Sequence, residues 1–388
     1  MPTESPRPIR RPRAWRTAVY RLLACCLSGM VACTVGELAL RVGGFSRSYA
    51  NPFASFHERD PVLGWRGKPH FKARLTQRDY DVVVAHDEYG FRCREERPGT
   101  TATRPDVFVL GDSFVWGWGV GQGQLCTDRL ESLWPGHRVQ NLGLCGAGTV
   151  QEFAIFETYV RPRLRPGDTV VLAFYGNDFG DNLGRRLMDS LHATVQAGEV
   201  RLEPPSGKFC PSKIKDKLKD VSYLFNLVTY CTDRCQHRLG DWKDAWSPAS
   251  TTAGRKAQPG DTAPSAGTLA DDSPEVRVVK FYLAAFQTAC AEHRAALVVA
   301  YIPFQVELGE AELNAGALPA DPPAAERHAF FRCADALGIE TIDLLPHFLR
   351  AKAVGDCVRI TFAHDLHWNA AGHALAAQVI AAHLTAKF

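Results

Sequence analysis

The sequence has no meaningful excess of either charge: 45 Lys and Arg stand against 42 Asp and Glu. A chain so balanced lacks the strongly basic profile of a dedicated nucleic-acid binder, and nucleic acid is not expected as a partner. No internal repeat of about 20 to 50 residues is present, which excludes solenoids and propellers. Three familiar catalytic signatures are also missing: a Gly-x-Ser-x-Gly elbow, a Gly-x-x-x-x-Gly-Lys phosphate loop and a His-Glu-x-x-His metal helix. Gly117, Gly119 and Gly121 alternate without the dinucleotide-binding spacing, so they read as backbone room rather than a phosphate cradle. What is present, 46% hydrophobic and 22% charged side chains over 388 residues, excludes a wholly disordered or fibrous chain. At about 150 residues per domain the length suggests two or three units.

Acidic residues are nearly absent from the N-terminus, where Glu4 alone faces Arg7, Arg10, Arg11, Arg13, Arg16 and Arg21. An uncharged run follows from Leu22 to Gly36. Its roughly 15 residues make a helix of about 22 Å, whereas Ala18 to Leu40 reaches about 34 Å, enough for a hydrocarbon core of ~30 Å. Arg21 and Glu37 would then snorkel toward the headgroups. Basic residues ahead of the span keep that end cytoplasmic and send the remainder outward. The reading taken is a signal anchor over residues 18–40, with the catalytic part periplasmic or extracellular. A cleaved signal peptide, a lipoprotein site at Val31-Ala32-Cys33 and a buried helix of a cytosolic protein are the alternatives.

Twelve cysteines are many for a reduced cytosolic enzyme and fit an oxidising compartment. Cys25, Cys26 and Cys33 lie in the apolar segment; the remainder is odd in number, so at least one thiol stays free or pairs between chains. Cys231 and Cys235, with His237 nearby, have no second ligand pair at a zinc spacing, and a local disulfide or burial is expected instead.

Residues 46–104 read as a β-rich preface, with the alternating patch Tyr80 to Val84 closed by Gly90-Phe91-Arg92. From 105 onward apolar strands alternate with helical stretches: Val107–Leu110, Arg138–Leu142, Thr169–Phe174, Ala296–Ile302 and Glu340–Leu344. Strands separated by helices need crossovers, which build a parallel sheet covered on both faces. The last helix, Ala370 to Leu384, is periodic and Ala-rich, with Asn369 placed to cap it. Between 185 and 275 the rhythm breaks into an insertion. It holds Lys208, Lys213, Lys215, Lys217 and Lys219, the apolar stretch Tyr223 to Tyr230, and a Ser-, Thr-, Ala-, Gly- and Pro-rich run from 247 to 274. A lid and a solvated loop are both open readings of it.

The chemistry-bearing residues fall at the ends of predicted strands. Gly111-Asp112-Ser113-Phe114 follows the first strand, at the carboxyl edge where open α/β sheets carry their sites. The second strand runs into Asn141-Leu142-Gly143-Leu144-Cys145-Gly146, and the third into Gly176-Asn177-Asp178. Asp365-Leu366-His367-Trp368-Asn369 stands just before the final helix. A serine hydroxyl is a weak nucleophile until a base takes its proton; His367 is the candidate base and Asp365 its orienting acid. The oxyanion formed by attack on a carbonyl needs fixed donors, and the Ser113 N–H, the Gly146 N–H and the Asn177 amide are the candidates. His364 is an alternative to Asp365. Asp112 and Asp178 read as loop braces, His373 as a packing residue, and Cys145 as a core residue or a partner for Cys126. Trp116 and Trp118 lie close enough in sequence to Ser113 to form a stacking platform for a sugar ring, and core or rim packing is an equally open reading of both.

In their order and local contexts Ser113, Gly146, Asn177 and His367 resemble the blocks of the SGNH/GDSL hydrolase family. The resemblance covers roughly residues 105–388, and the preface looks like that of membrane-tethered bacterial members. It implies a three-layer α/β/α fold with a flavodoxin-like parallel sheet, and esterase or acyl-transfer chemistry without metal or organic cofactor. One departure is plain: the common pattern separates Asp from His by two residues, whereas one residue separates Asp365 from His367, as in members that resemble the alginate-acetylation proteins. In an extended segment residues i and i+2 point the same way, which keeps the pair feasible. The expected activity is hydrolysis of O-acyl esters, acetyl above all, on an envelope or extracellular glycan. The alternatives are an O-acyltransferase using the same residues and a catalytically silent glycan-binding module.

Overall fold

The computed structural model describes residues 14–43, 45, 52–93, 104–185, 189–206, 222–232, 235, 269–309, 325–354 and 359–387. The chain divides into two compact units, residues 1–51 with 213–246, and residues 52–212 with 247–388.

In the first unit a single helix runs Ala14–Val42. Its stretch Trp15–Val42 is long and apolar enough to cross a membrane, and none of its most apolar window is buried. Glu37 does not simply snorkel: it accepts from Ser222 Oγ at 3.0 Å and from the Tyr223 and Leu224 N–H groups, both at 2.9 Å, capping the helical residues 223–232. The five lysines named above, His237 and residues 247–268 lie outside the described residues.

The second unit is built on a parallel sheet of β5 (Asp106–Gly111), β6 (Arg138–Gly143), β7 (Thr169–Tyr175), β10 (Ala296–Ile302) and β11 (Glu340–Asp343), in the spatial order β11-β10-β7-β5-β6. Counted along the sheet's own strands this is the flavodoxin-like order, in which the topology reverses between β5 and β7. Both faces are covered, so the central strands are apolar on every side: all seven residues of β7 are buried. Phe108, Leu110, Val170, Leu172 and Phe174 face one core, with helix Pro274–Glu292. Val107, Val109, Val171 and Ala173 face the other, with helix Ala370–Lys387. Asn369 starts that last helix, its Oδ1 accepting from the Ala371 N–H at 2.9 Å and the Gly372 N–H at 3.1 Å. Register aligns the carboxyl ends, Gly111 lying beside both Gly143 and Ala173.

The preface forms two antiparallel hairpins, β1 (His57–Asp60) with β2 (Gly64–Gly67) and β3 (Lys72–Thr76) with β4 (Asp81–Ala85). They do not stand apart: Phe56, Leu75, Tyr80 and Val84 share one core cluster with Trp116, Trp118 and Cys145. At its centre two backbones touch, since a Cβ on Gly67 would overlap the Gly90 carbonyl and one on Gly90 would overlap that of Gly67. Gly90 also has φ +93°, a left-handed conformation that favours glycine. Gly90→Ala is expected to lower unfolding stability by about 3 kcal/mol, read from the urea midpoint. A further hairpin that the sequence pattern did not suggest, β8 (His192–Gln196) with β9 (Glu199–Glu203), lies at the start of the predicted insertion and buries Ala193 in the first core.

The cysteine expectations need correction. Cys25, Cys26, Cys33, Cys126, Cys231, Cys235, Cys290 and Cys333 are free, and Cys231 and Cys235 are exposed rather than bonded or buried. Cys126 and Cys145 belong to different cores, so both pack as small apolar residues. Among the described residues no disulfide supports the oxidising compartment inferred from cysteine number.

Candidate active site

The site forms where β5, β6 and β7 end. β5 passes through Gly111, where a Cβ would overlap the Val115 side chain, into a short helical turn, Ser113–Trp116. Asp112 starts the turn by accepting the Phe114 N–H at 2.9 Å, which is the bracing role expected of it. The tip of β6 supports the turn from below: Asn141 Nδ2 donates to the Val115 carbonyl at 2.7 Å, and a Cβ on Gly143 would overlap the Trp116 N–H. Ser113 is thereby fixed at the first position of the turn, half-buried at the mouth of the sheet edge.

His367 approaches from the loop before the last helix. Phe362 N–H donates to the His367 carbonyl at 3.0 Å, and Asn369 N–H to the Ile360 carbonyl at 3.0 Å, pinning that loop. The imidazole lies between the Phe114 ring at 5.1 Å and the Trp118 ring at 5.7 Å. Its Nε2 is 2.7 Å from Ser113 Oγ, and its Nδ1 is 2.5 Å from Asp365 Oδ1. A proton on Nδ1 shared with the carboxylate leaves Nε2 to accept from the serine hydroxyl. Asp365 Oδ1 also accepts the His367 N–H at 3.0 Å. Burial of Asp365 opposes its charge, but the His367 imidazole beside it and these hydrogen bonds outweigh that cost and hold its carboxyl at about 2.

The remaining candidates divide. Gly146 follows β6 with φ +76°, and Asn177 opens the short helix Asp178–Asp181 after β7, both at the carboxyl edge that carries Ser113. No hydrogen bond of the Gly146 N–H is found among the described residues, and Asn177 Oδ1 is buried there without a partner. Asp178 accepts from Thr149 Oγ1 at 2.8 Å, again a brace. His373 is buried, and its Nδ1 accepts the Cys126 N–H at 3.1 Å; burial first, with the nearby charges, pushes its pKa down to about 3, so it packs as a neutral ring. Trp116 cannot serve as a sugar platform: it is 0% exposed, and its indole N–H donates to His86 Nε2 at 3.2 Å. Trp118, 8% exposed, lies against His367 at an interplanar angle of 31°. His364 does not replace Asp365; its Nδ1 lies 2.6 Å from Asp79 Oδ1. Among the described residues no three His, Cys, Asp or Glu side chains are placed to hold a metal ion.

The sequence pattern missed the preface's share in the site. Tyr80 OH donates to Asp365 Oδ2 at 3.1 Å. Arg92, 2% exposed, donates to the Gly117 and Val120 carbonyls, both at 3.1 Å, closing the loop that follows the serine turn. Trp65 Nε1 donates to the Cys145 carbonyl at 2.9 Å, holding the loop of Gly146.

Residues 256–388 match the profile of a family described as "SGNH hydrolase-like domain, acetyltransferase AlgX". No curated protein matches the sequence. Similar solved structures include a member of the lipolytic G-D-S-L family from Veillonella parvula, 13% identical, covering 73% of this chain and 99% of that one with a TM-score of 0.39. A lipase/acylhydrolase from Enterococcus faecalis is 12% identical, covering 73% and 96% with a TM-score of 0.37. A two-domain esterase active on acetylated mannans is 13% identical, covering 73% of this chain and 49% of that one with a TM-score of 0.37. The C-terminal third of the chain, residues 256–388, is thus similar to an SGNH hydrolase-like domain, and the serine, glycine, asparagine and histidine blocks stand in order along one edge of a flavodoxin-like sheet.

Proposed function

We propose that the protein is a serine esterase that removes O-acyl groups, acetyl above all, from envelope or extracellular glycans. The observation that carries this reading is the unbroken line Ser113 Oγ, His367 Nε2, His367 Nδ1 and Asp365 Oδ1, with separations of 2.7 and 2.5 Å. In the first step Ser113 Oγ attacks the ester carbonyl carbon while its proton passes to His367 Nε2. The oxyanion so formed takes the Ser113 and Gly146 N–H groups and the Asn177 amide as donors. Collapse expels the sugar oxygen, which receives the proton from His367 and leaves as a hydroxyl. Water then attacks the acyl-serine by the same route, releasing the carboxylic acid and restoring Ser113. The organisation that suits this work is a membrane anchor to residue 45, a preface over 46–104, and a hydrolase domain over 105–388 with its insertion at 185–275, the domain lying outside the inner membrane. No step requires a metal or organic cofactor.

A second reading keeps the same acyl-serine and replaces water with a glycan hydroxyl; the acetyltransferase named in the matched family's description favours weighing it. Two measurements divide these readings from a silent binding module. An alkyl fluorophosphonate is expected to phosphonylate Ser113 alone, with loss of fluoride, located by peptide mass mapping; an unlabelled folded protein overturns both enzymatic readings. Products from an acyl ester are then followed with and without an added oligosaccharide: free acid in both supports hydrolysis, and acylated oligosaccharide in its place supports transfer.

A further inference from the structure

We propose that Tyr80 is a positioning residue for the Asp365–His367 pair, supplied to the active site by the turn between β3 and β4. The proposal rests on the serine-esterase reading and adds to it a part contributed from outside the hydrolase domain. A carboxylate held by one oxygen can still swing about its Cβ–Cγ bond. In Asp365, Oδ1 is occupied by His367, through both the ring Nδ1 and the backbone N–H, while Oδ2 accepts from Tyr80 OH. Tying the second oxygen fixes the carboxylate plane, and with it the line from His367 to Ser113.

Tyr80 is itself held. It is 8% exposed, and its ring lies 4.8 Å from that of Phe362. The glycine between these groups has its explanation here: Gly119 has φ +81°, and a Cβ on it would stand 2.6 Å from the Phe362 ring and 2.8 Å from the Tyr80 ring. The neighbouring residue makes a parallel contact, since Asp79 accepts both the backbone N–H and the ring Nδ1 of His364, at 2.5 and 2.6 Å. Two successive residues of one turn, closed by the Gln77 N–H to Tyr80 carbonyl bond at 2.9 Å, thus hold two successive residues of the histidine loop. Burial, then the Asp365 charge, pushes the Tyr80 hydroxyl well above its ordinary pKa, so it remains an O–H donor across the neutral range.

The test uses the full chain and Tyr80→Phe, which keeps the ring and removes the donor. Turnover of a short acyl ester is measured per site titrated with the fluorophosphonate, so misfolded protein does not enter the rate. The expected result is a fall in kcat of roughly tenfold with KM within about twofold, the scale of one charge-assisted hydrogen bond. The acid limb of the kcat/KM profile is expected to move to higher pH by roughly half a unit, because a carboxylate stripped of one donor stabilises imidazolium more strongly. Unchanged per-site kcat and an unmoved limb overturn the proposal, even if the variant melts earlier, because that pattern belongs to packing alone. A wild-type protein that neither labels nor turns over overturns the esterase reading beneath it, which separates the two failures.

Discussion

Ser113→Ala is expected to lower kcat on a short acyl ester by roughly 10⁴- to 10⁶-fold while leaving KM within a few-fold. The size follows from what the substitution removes. In the mechanism proposed above the Ser113 hydroxyl forms the bond to the acyl carbon, and alanine offers no nucleophile in its place. Trp118 and Phe114 fill the sides of the imidazole, and Asp365 occupies its far nitrogen. The fold should not suffer. Asp112 still caps the turn through the Phe114 N–H, Gly117 N–H still reaches the carbonyl of residue 113 at 3.0 Å, and an alanine at a half-buried first position strains nothing. Denaturant unfolding within about 0.5 kcal/mol of wild type is the accompanying expectation. Binding should persist as well, because the proposed donors, the N–H groups of residues 113 and 146 and the Asn177 amide, are untouched. Turnover equal to wild type would remove Ser113 from the chemistry, whatever its distance from His367.

The sheet was legible because its strands are buried on both faces: such strands announce themselves as continuous apolar runs, and Ala296–Ile302 is observed with the bounds expected. The other strands shift by a residue at one end or both, as at β5, which takes in Asp106 and Gly111. The candidate nucleophile and base were legible for a related reason, since short polar blocks just past apolar runs have few other uses. What the pattern could not carry is partnership between distant segments. Tyr80 and Asp365 are separated by 285 residues, and nothing in the alternation of Tyr80 to Val84 says which loop its outer end meets. Trp116 illustrates the same limit: an aromatic near a nucleophile fits a platform or a core equally well in one dimension, and only the arrival of Phe56 and His86 from the preface decides for the core. The β8–β9 hairpin escaped although Glu199, Val200, Arg201, Leu202 and Glu203 alternate as a strand does, because so short a run was absorbed into the reading of an insertion.

The Asp365–His367 pair reached the expected contact by a different geometry. The expectation relied on an extended segment, in which residues two apart share a side. The loop is instead bent, and Asp365 Oδ1 turns back to accept the N–H of the residue two ahead, an Asx-type turn that delivers the ring Nδ1 to the same oxygen. The one-residue spacing is thus a feature of the turn. A two-residue spacing would need a different backbone path to bring the two groups together.

Asp365→Asn follows from that geometry and is expected to lower kcat by about 10⁴-fold. An amide oriented to accept at one atom and donate at the other faces Nδ1 and Tyr80 OH. If its NH₂ meets Nδ1, the imidazole proton must sit on Nε2, where it points at Ser113 Oγ and leaves the hydroxyl no base. If its oxygen meets Nδ1, the tautomer survives, but the NH₂ confronts the Tyr80 hydroxyl and the charge that stabilises imidazolium is gone. Either arrangement removes the function of the pair while sparing its shape, so fluorophosphonate labelling should slow in proportion to turnover, and the two rates together check the assignment. Stability supplies an independent signature. A carboxyl at about 2 in the folded chain, against an ordinary value of 3.8, binds fewer protons folded than unfolded between those limits. Its contribution is complete above about pH 4 and is lost as pH falls through 2; the shift corresponds to about 2 kcal/mol. Asn has no such titration, so the wild type should lose more stability than the variant on acidification across that window. Parallel acid-unfolding curves would show that Asp365 is not the buried, imidazole-paired carboxylate on which the assigned base depends.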